Sequence, residues 1–159
     1  MSGLTWEDVS GGVGLRVTVP VTMGPDEAAR ELAPRLSALA GERATASSGG
    51  AGARPGVPVV TIDGYSGSGK STLAAALAPL LPGWQVLHLD DWYPGWDGLE
   101  AGAHIARRIA ADLRGGRASS YEAWDWENST TGARISVPLA PTIIEGCGAI
   151  DAEADLSVW

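Results

Sequence analysis

Residues 57–81 constrain the fold of this chain more than any other stretch. Val57 to Ile62 is a nearly continuous apolar run with one proline near its start. A strand covered on both faces, as in a parallel sheet, has that composition. Gly64-Tyr65-Ser66-Gly67-Ser68-Gly69-Lys70-Ser71-Thr72 follows and fits the pattern G-x-x-x-x-G-K-[ST]. Ser71 to Leu81, rich in Ala and Leu, then reads as a helix. The glycines permit backbone conformations closed to other residues, so successive N–H groups can converge on phosphate oxygens. The helix that starts near Lys70 adds its positive end. Lys70 is the only lysine, and the other ten basic residues are arginine. A slim ammonium can reach phosphate past a tight backbone where a planar guanidinium fits poorly. A chance Gly-rich turn would not come with both the preceding strand and the following helix. Gly64, Ser66, Gly67, Ser68, Gly69, Lys70, Ser71 and Thr72 are therefore the candidate nucleotide-phosphate cradle, with the Ser71 hydroxyl available to Mg²⁺.

The bulk numbers narrow the remaining choices. A length of 159 residues suits one domain, able to bury roughly 70% of its unfolded surface. Formal net charge is −8, which argues against nucleic acid or an anionic membrane as partner. The single cysteine excludes an internal disulfide and a Cys-based zinc cluster. His88 and His104 stand too far apart to suggest zinc. There is no apolar run of the ~18 residues that span a bilayer and no secretory signal pattern, so a cytoplasmic protein is expected.

Upstream of residue 57, Val13, Leu15, Val17, Val19 and Val21 alternate with polar residues and Pro20. This predicts a half-buried strand, at a sheet edge because of Pro20. Pro25, Asp26 and Glu27 read as a first helical turn. Leu32, Leu36 and Leu39 form its apolar stripe, Pro34 predicts a kink or split, and Gly41 predicts its end. Residues 41–56 read as a Gly/Ser-rich linker. Downstream, Trp84–Leu89 is a short strand ending at Asp90-Asp91. Leu99, Ala103, Ala106, Ile109 or Ala110, and Leu113 define a helical face closed by Gly115-Gly116. Residues 119–126 and 133–137 flank a turn-rich stretch and predict a β-hairpin. Thr142–Glu145 is a buried strand, and Leu156–Trp159 begins another. The alternation indicates an α/β fold with a parallel sheet. It divides as residues 1–56, a strand, helix and linker, and residues 57–159, the nucleotide-binding core.

Ligands bind at the carboxyl ends of strands in such sheets, and two acidic positions lie there. One of Asp90 and Asp91 can hold Mg²⁺ or take the proton of an attacking hydroxyl, and Asp90 is nearer the strand. The pair could equally be an acidic loop or cap. Glu145 ends a buried strand, where an unpaired carboxylate is costly. Mg²⁺ would supply a partner, unless the residue is exposed. Trp92, Tyr93, Trp96, Tyr121, Trp124 and Trp126 could line a pocket for a flat or sugar-like acceptor, or be core beneath the hairpin. His88 and Cys147 read as satisfied core residues, and Arg107 and Arg108 as a solvated helix face.

Ile62-Asp63-Gly64 leading into Ser66 to Ser71, then Leu89-Asp90-Asp91-Trp92-Tyr93, then Ile144-Glu145-Gly146, together resemble the uridine kinase and phosphoribulokinase-like group of P-loop kinases. The resemblance covers about residues 57–159. It implies a P-loop NTPase sheet flanked by helices, a substrate-side β-hairpin, and ATP with Mg²⁺. By the same resemblance Asp90 is the base and near the metal, and Glu145 a metal-side ligand with Ser71. Tyr93 lies near the acceptor, Asp97 at ribose hydroxyls and Tyr121 beside the base. Trp126 stands where uridine kinases usually carry a histidine that reads the pyrimidine, and it can stack but not copy those hydrogen bonds. In that group the chain continues into an Arg-bearing lid. Here it stops at Trp159, which suggests a fragment or a reduced form. The reading that follows is an ATP-dependent phosphotransferase acting on a small-molecule hydroxyl, most naturally a nucleoside. The alternatives are a non-catalytic ATP-binding module and a kinase for a sugar acid or vitamin precursor.

Overall fold

The computed structural model describes residues 3–8, 14–46 and 56–159. Its main sheet has six strands in the order β1-β2-β8-β3-β7-β4. These are β1 (Thr5–Asp8), β2 (Leu15–Thr18), β3 (Val59–Ile62), β4 (Gln85–His88), β7 (Thr142–Glu145) and β8 (Leu156–Val158). Every neighbouring pair is parallel except β1 and β2. The helices are α1 (Pro25–Ala46), α2 (Lys70–Leu77) and α3 (Leu99–Arg114), and β5 (Ser119–Asp125) pairs with β6 (Thr130–Val137) as a separate hairpin. This is the expected α/β architecture.

Alternation along the central strands divides the core in two. Val60, Ile62, Ile143, Leu156 and Val158 pack with α1 and α2. Val59, Leu87 and Ile144 pack with α3 and with Tyr121 and Val137 at the base of the hairpin. β3 and β7 are buried on both faces, which is why their sequences read as unbroken apolar runs. The helix over 99–114 falls where its periodicity places it, with Ala103, Ala106, Ile109, Ala110 and Leu113 buried, but Leu99, expected on the same face, is exposed at the helix start.

The N-terminal segment departs from expectation in three ways. β2 is not an edge strand: it lies between β8 and an antiparallel edge strand, β1, that the sequence reading missed. Pro20 does not interfere, because β2 ends at Thr18 and Val19 N–H makes the last bond, to the Trp159 carbonyl at 2.8 Å. Val21 is fully exposed rather than inward-facing, and Val13 lies outside the described residues. α1 runs unbroken through Pro34 and past Gly41. Pro34 is on its solvent side, where water can take the carbonyl that proline leaves without a donor. Burial of Leu32, Ala33, Leu36 and Leu39 holds the helix to the sheet. Arg43, in its last turns, pairs with Asp155, which also accepts the Val59 N–H at 2.9 Å and faces Arg114 Nε at 3.4 Å. Of the expected linker, 41–46 is helical and 47–55 lies outside the described residues.

Candidate functional site

The P-loop joins β3 to α2 at the carboxyl edge of the sheet. Gly67 and Gly69 adopt φ of +76° and +93°, a left-handed backbone that disfavours side chains. A turn is closed by Ser68 N–H to the Tyr65 carbonyl at 3.0 Å. Lys70 Nζ donates to that same carbonyl at 2.8 Å, so its ammonium lies folded over the loop. Ser66, Ser68, Ser71 and Thr72 are exposed.

Asp63, at the end of β3, braces this loop. Its carboxylate accepts N–H bonds from Gly64 at 2.6 Å, Gly148 at 3.1 Å and Ile150 at 2.9 Å. It is 6% exposed, so these bonds answer the cost of burying the charge. Sequence reasoning gave it no role. The signal was present, since an acid directly after a buried strand needs partners just as Glu145 does.

Glu145 is 3% exposed, which removes the exposed strand-end alternative. Its Oε1 accepts from Ser71 Oγ at 3.0 Å and lies 2.5 Å from His88 Nδ1. The pairing register sets this contact, because His88 on β4 stands opposite Glu145 on β7. His88 is thus not the core residue expected: its side chain is 44% exposed and serves as partner to Glu145. A strand-end position on the same face as a buried acid turns the ring toward that acid. Asp91 belongs to the same electrostatic group. Partial burial raises its pKa, His88 opposes that, and Asp90 and Glu145 push it up further. The hydroxyl of Ser71 and the carboxylate of Glu145 are hard oxygen donors of the kind Mg²⁺ takes. Among the described residues no group of three or more His, Cys, Asp and Glu side chains could hold a metal by itself.

Asp90 and Asp91 lie exposed in a 3₁₀ turn, Leu89–Asp91, directly after β4. Both border a cleft of about 870 Å³ that begins at Ser66 of the P-loop. Of the six aromatics singled out above, Trp92 is core: it is 2% exposed and donates Nε1–H to the Gly102 carbonyl at 3.0 Å. The other five, Tyr93, Trp96, Tyr121, Trp124 and Trp126, line the cleft. Trp126 Nε1 donates to the Asp90 carbonyl at 2.9 Å, and its ring stands 5.1 Å from that of Trp96. The hairpin is therefore tied to the turn that carries the acid. Tyr93 donates its hydroxyl to the Cys147 carbonyl. Burial, with Cys147 and the nearby carboxylates adding to it, drives its pKa far above the usual phenol range. Tyr93 is a donor here, not a base. Tyr121 packs against Trp92 at 4.8 Å, and burial raises its pKa as well, helped by Asp91. Cys147 is half-buried, borders the cleft and donates Sγ–H to the Gly64 carbonyl at 3.4 Å. Asp97 is exposed and does not border the cleft. Arg107 and Arg108 are on the exposed helix face, where Arg108 ties α3 to Ser119 and Ser120 of β5.

No family model matches this chain, and neither does any curated protein. Among solved structures it is similar to one described as a possible uridine kinase from Bacillus stearothermophilus. Identity is 26% over 74% of this chain and 72% of that one, with a TM-score of 0.45. It is also similar to a candidate fructose transport system kinase from Silicibacter sp. TM1040. There identity is 26% over 73% of this chain and 63% of that one, with a TM-score of 0.41. No helix among the described residues is long and apolar enough to cross a membrane.

Proposed function

We propose that this protein is a P-loop phosphotransferase that moves the γ-phosphate of ATP to a hydroxyl of a small, uncharged, ring-bearing acceptor such as a nucleoside. One observation carries the reading. The phosphate cradle and an aromatic cleft holding two carboxylates share one edge of the sheet, and they meet at Ser66. Among the described residues, the only charged ones lining that cleft are Asp90 and Asp91. An acceptor already bearing phosphate or carboxylate would find no cation there, which favours a nucleoside over a sugar acid. The aromatic rings offer stacking faces.

In this mechanism Lys70 exchanges the Tyr65 carbonyl for phosphate oxygens, and the loop amides from Ser66 to Thr72 complete the cradle. Mg²⁺, held on the side of Ser71 and Glu145 with Asp90 nearby, would neutralise phosphate charge when bound. Asp90 takes the proton of the acceptor hydroxyl as its oxygen bonds to the γ-phosphorus. The bond from that phosphorus to the β–γ bridging oxygen breaks, and ADP leaves. His88 keeps Glu145 oriented toward Ser71. Trp126 positions Asp90 through its backbone carbonyl and takes no part in the proton transfer.

The test is ADP release from Mg·ATP across a panel of nucleosides and sugar-like alcohols. Native protein is expected to respond to at least one nucleoside. Asp90→Asn is expected to lose about 10²–10⁴-fold of that stimulated rate, and Lys70→Ala to lose nucleotide binding as well. Full activity in Asp90→Asn would remove it as the base. Tight ATP binding with no acceptor-stimulated turnover would make the protein a nucleotide-binding module.

A further inference from the structure

A second cleft, of about 590 Å³, opens on the opposite flank of the P-loop. Ser68, Gly69, Lys70 and Thr72 form one of its walls, and the other comes from residues 18–28. Because β2 runs parallel to β8, the loop after it emerges at the same carboxyl edge as the P-loop. That loop is fastened by Val19 N–H to the Trp159 carbonyl at 2.8 Å, Trp159 N–H to the Val17 carbonyl at 2.9 Å, and Met23 N–H to the Pro20 carbonyl at 2.9 Å. The wall it presents is apolar, with Val19, Val21 and Met23, and the rings of Tyr65 and Trp159 meet edge-on at 5.7 Å beside it. Tyr65 is 79% and Trp159 41% exposed, so packing alone leaves much of both rings in water. Among the described residues, the only charged ones lining this cleft are Lys70 and Asp63, and Asp63 is held by three backbone amides.

We propose that this cleft binds the nucleobase of the nucleoside triphosphate whose phosphates lie in the P-loop, so that residues 18–28 are part of the nucleotide site. The proposal rests on the P-loop reading above. Asp90 and the acceptor cleft lie on the Ser66 flank, which fixes the end of the phosphate chain at which transfer occurs. The other end then leaves on the Thr72 flank, and this cleft is there. Its apolar wall and exposed rings suit a flat, uncharged group, which a nucleobase is and a phosphate is not.

The experiment is calorimetric titration of the full chain with ATP and with inorganic tripolyphosphate, which has no base, both with Mg²⁺. ATP is expected to bind about tenfold or more tightly than tripolyphosphate, the scale of one base stacked on an aromatic ring. Val21→Asp adds a carboxylate at a fully exposed position, so folding should be unaffected. It is expected to remove most of the ATP advantage, read as the ratio of the two affinities because repulsion of the phosphates acts on both ligands alike, and Met23→Glu should act in the same direction. Equal affinity for ATP and tripolyphosphate would overturn the base site and leave the P-loop reading intact. So would an undiminished ATP advantage in both variants. If tripolyphosphate does not bind, or binds Lys70→Ala as well as native protein, the P-loop reading fails and the base site with it.

Discussion

Both carboxylate oxygens of Asp63 accept backbone N–H groups, one from the start of the P-loop and two from the stretch after β7. Removing them leaves buried donors without partners, a larger effect than losing a surface contact. Asp63→Ala should cost about 3 kcal/mol, on the scale of such unmet donors, and weaken nucleotide binding by loosening the loop. Urea unfolding and ATP titration check the two effects separately. Asp91 behaves differently. Its folded pKa is raised, so above that pKa the folded state holds a carboxylate less comfortably than the unfolded chain does. Stability from this group is greatest at low pH and falls as pH rises from the ordinary value of 3.8 through the folded pKa. Asp91→Asn should therefore raise the melting temperature at neutral pH. The gain should vanish as pH approaches the ordinary carboxyl range, as melting curves across pH would show. A gain independent of pH would mean that the charge is not responsible.

At the scale of elements, α3 shapes the aromatic cleft, the proposed acceptor site, through one small residue. A Cβ at Gly102 would come within 2.4 Å and 2.6 Å of the Tyr93 ring. The absence of a side chain lets the helix close on Tyr93, while the Gly102 carbonyl receives the Trp92 indole. Gly102→Ala must displace that ring, at about 1–3 kcal/mol as for other overpacked sites. The better helix propensity of alanine offsets roughly 1 kcal/mol of that. The expected result is a modest loss of stability with a clear rise in KM for the acceptor and little change in KM for ATP. Steady-state kinetics with each substrate varied in turn would show the split. Equal effects on both substrates would mean that the helix shift reaches the P-loop. The hairpin is another wall of the cleft, and β6 is exposed for all but Val137. Its contact with the turn after β4 runs through Trp126 and the Asp90 carbonyl.

At the scale of the whole molecule, β2 and α1 are part of the core. Leu32, Leu36 and Leu39 of α1 and Val17 of β2 belong to the same cluster as Val60, Ile62, Leu77 and Leu156. Burial of each leucine is worth about 1.5–3 kcal/mol, which summed over three is comparable to the whole stability of a typical domain, ~5–15 kcal/mol. A chain beginning at Gly56 would also leave β8 with an open edge where β2 pairs. It should lack a cooperative thermal transition, as calorimetry would show. A sharp transition in that shortened chain would mean that residues 57–159 fold independently.

What the sequence determined by itself was local and covalent. The P-loop, its flanking strand and helix, the face of α3 and the hairpin follow from composition and period, because each is specified by residues a few positions apart. Glu145 was legible as a buried acid in need of a partner for the same reason. What only the tertiary structure decided was pairing between distant segments. Strand register joined His88 to Glu145, so a residue expected in the core became the partner of the buried acid. Packing against the sheet carried α1 through Pro34 and Gly41, where local propensity predicts a break. The order β1-β2-β8-β3 placed an N-terminal loop beside the P-loop. The strand pairings depend on contacts more than fifty residues apart along the chain, and no short window of sequence holds both partners.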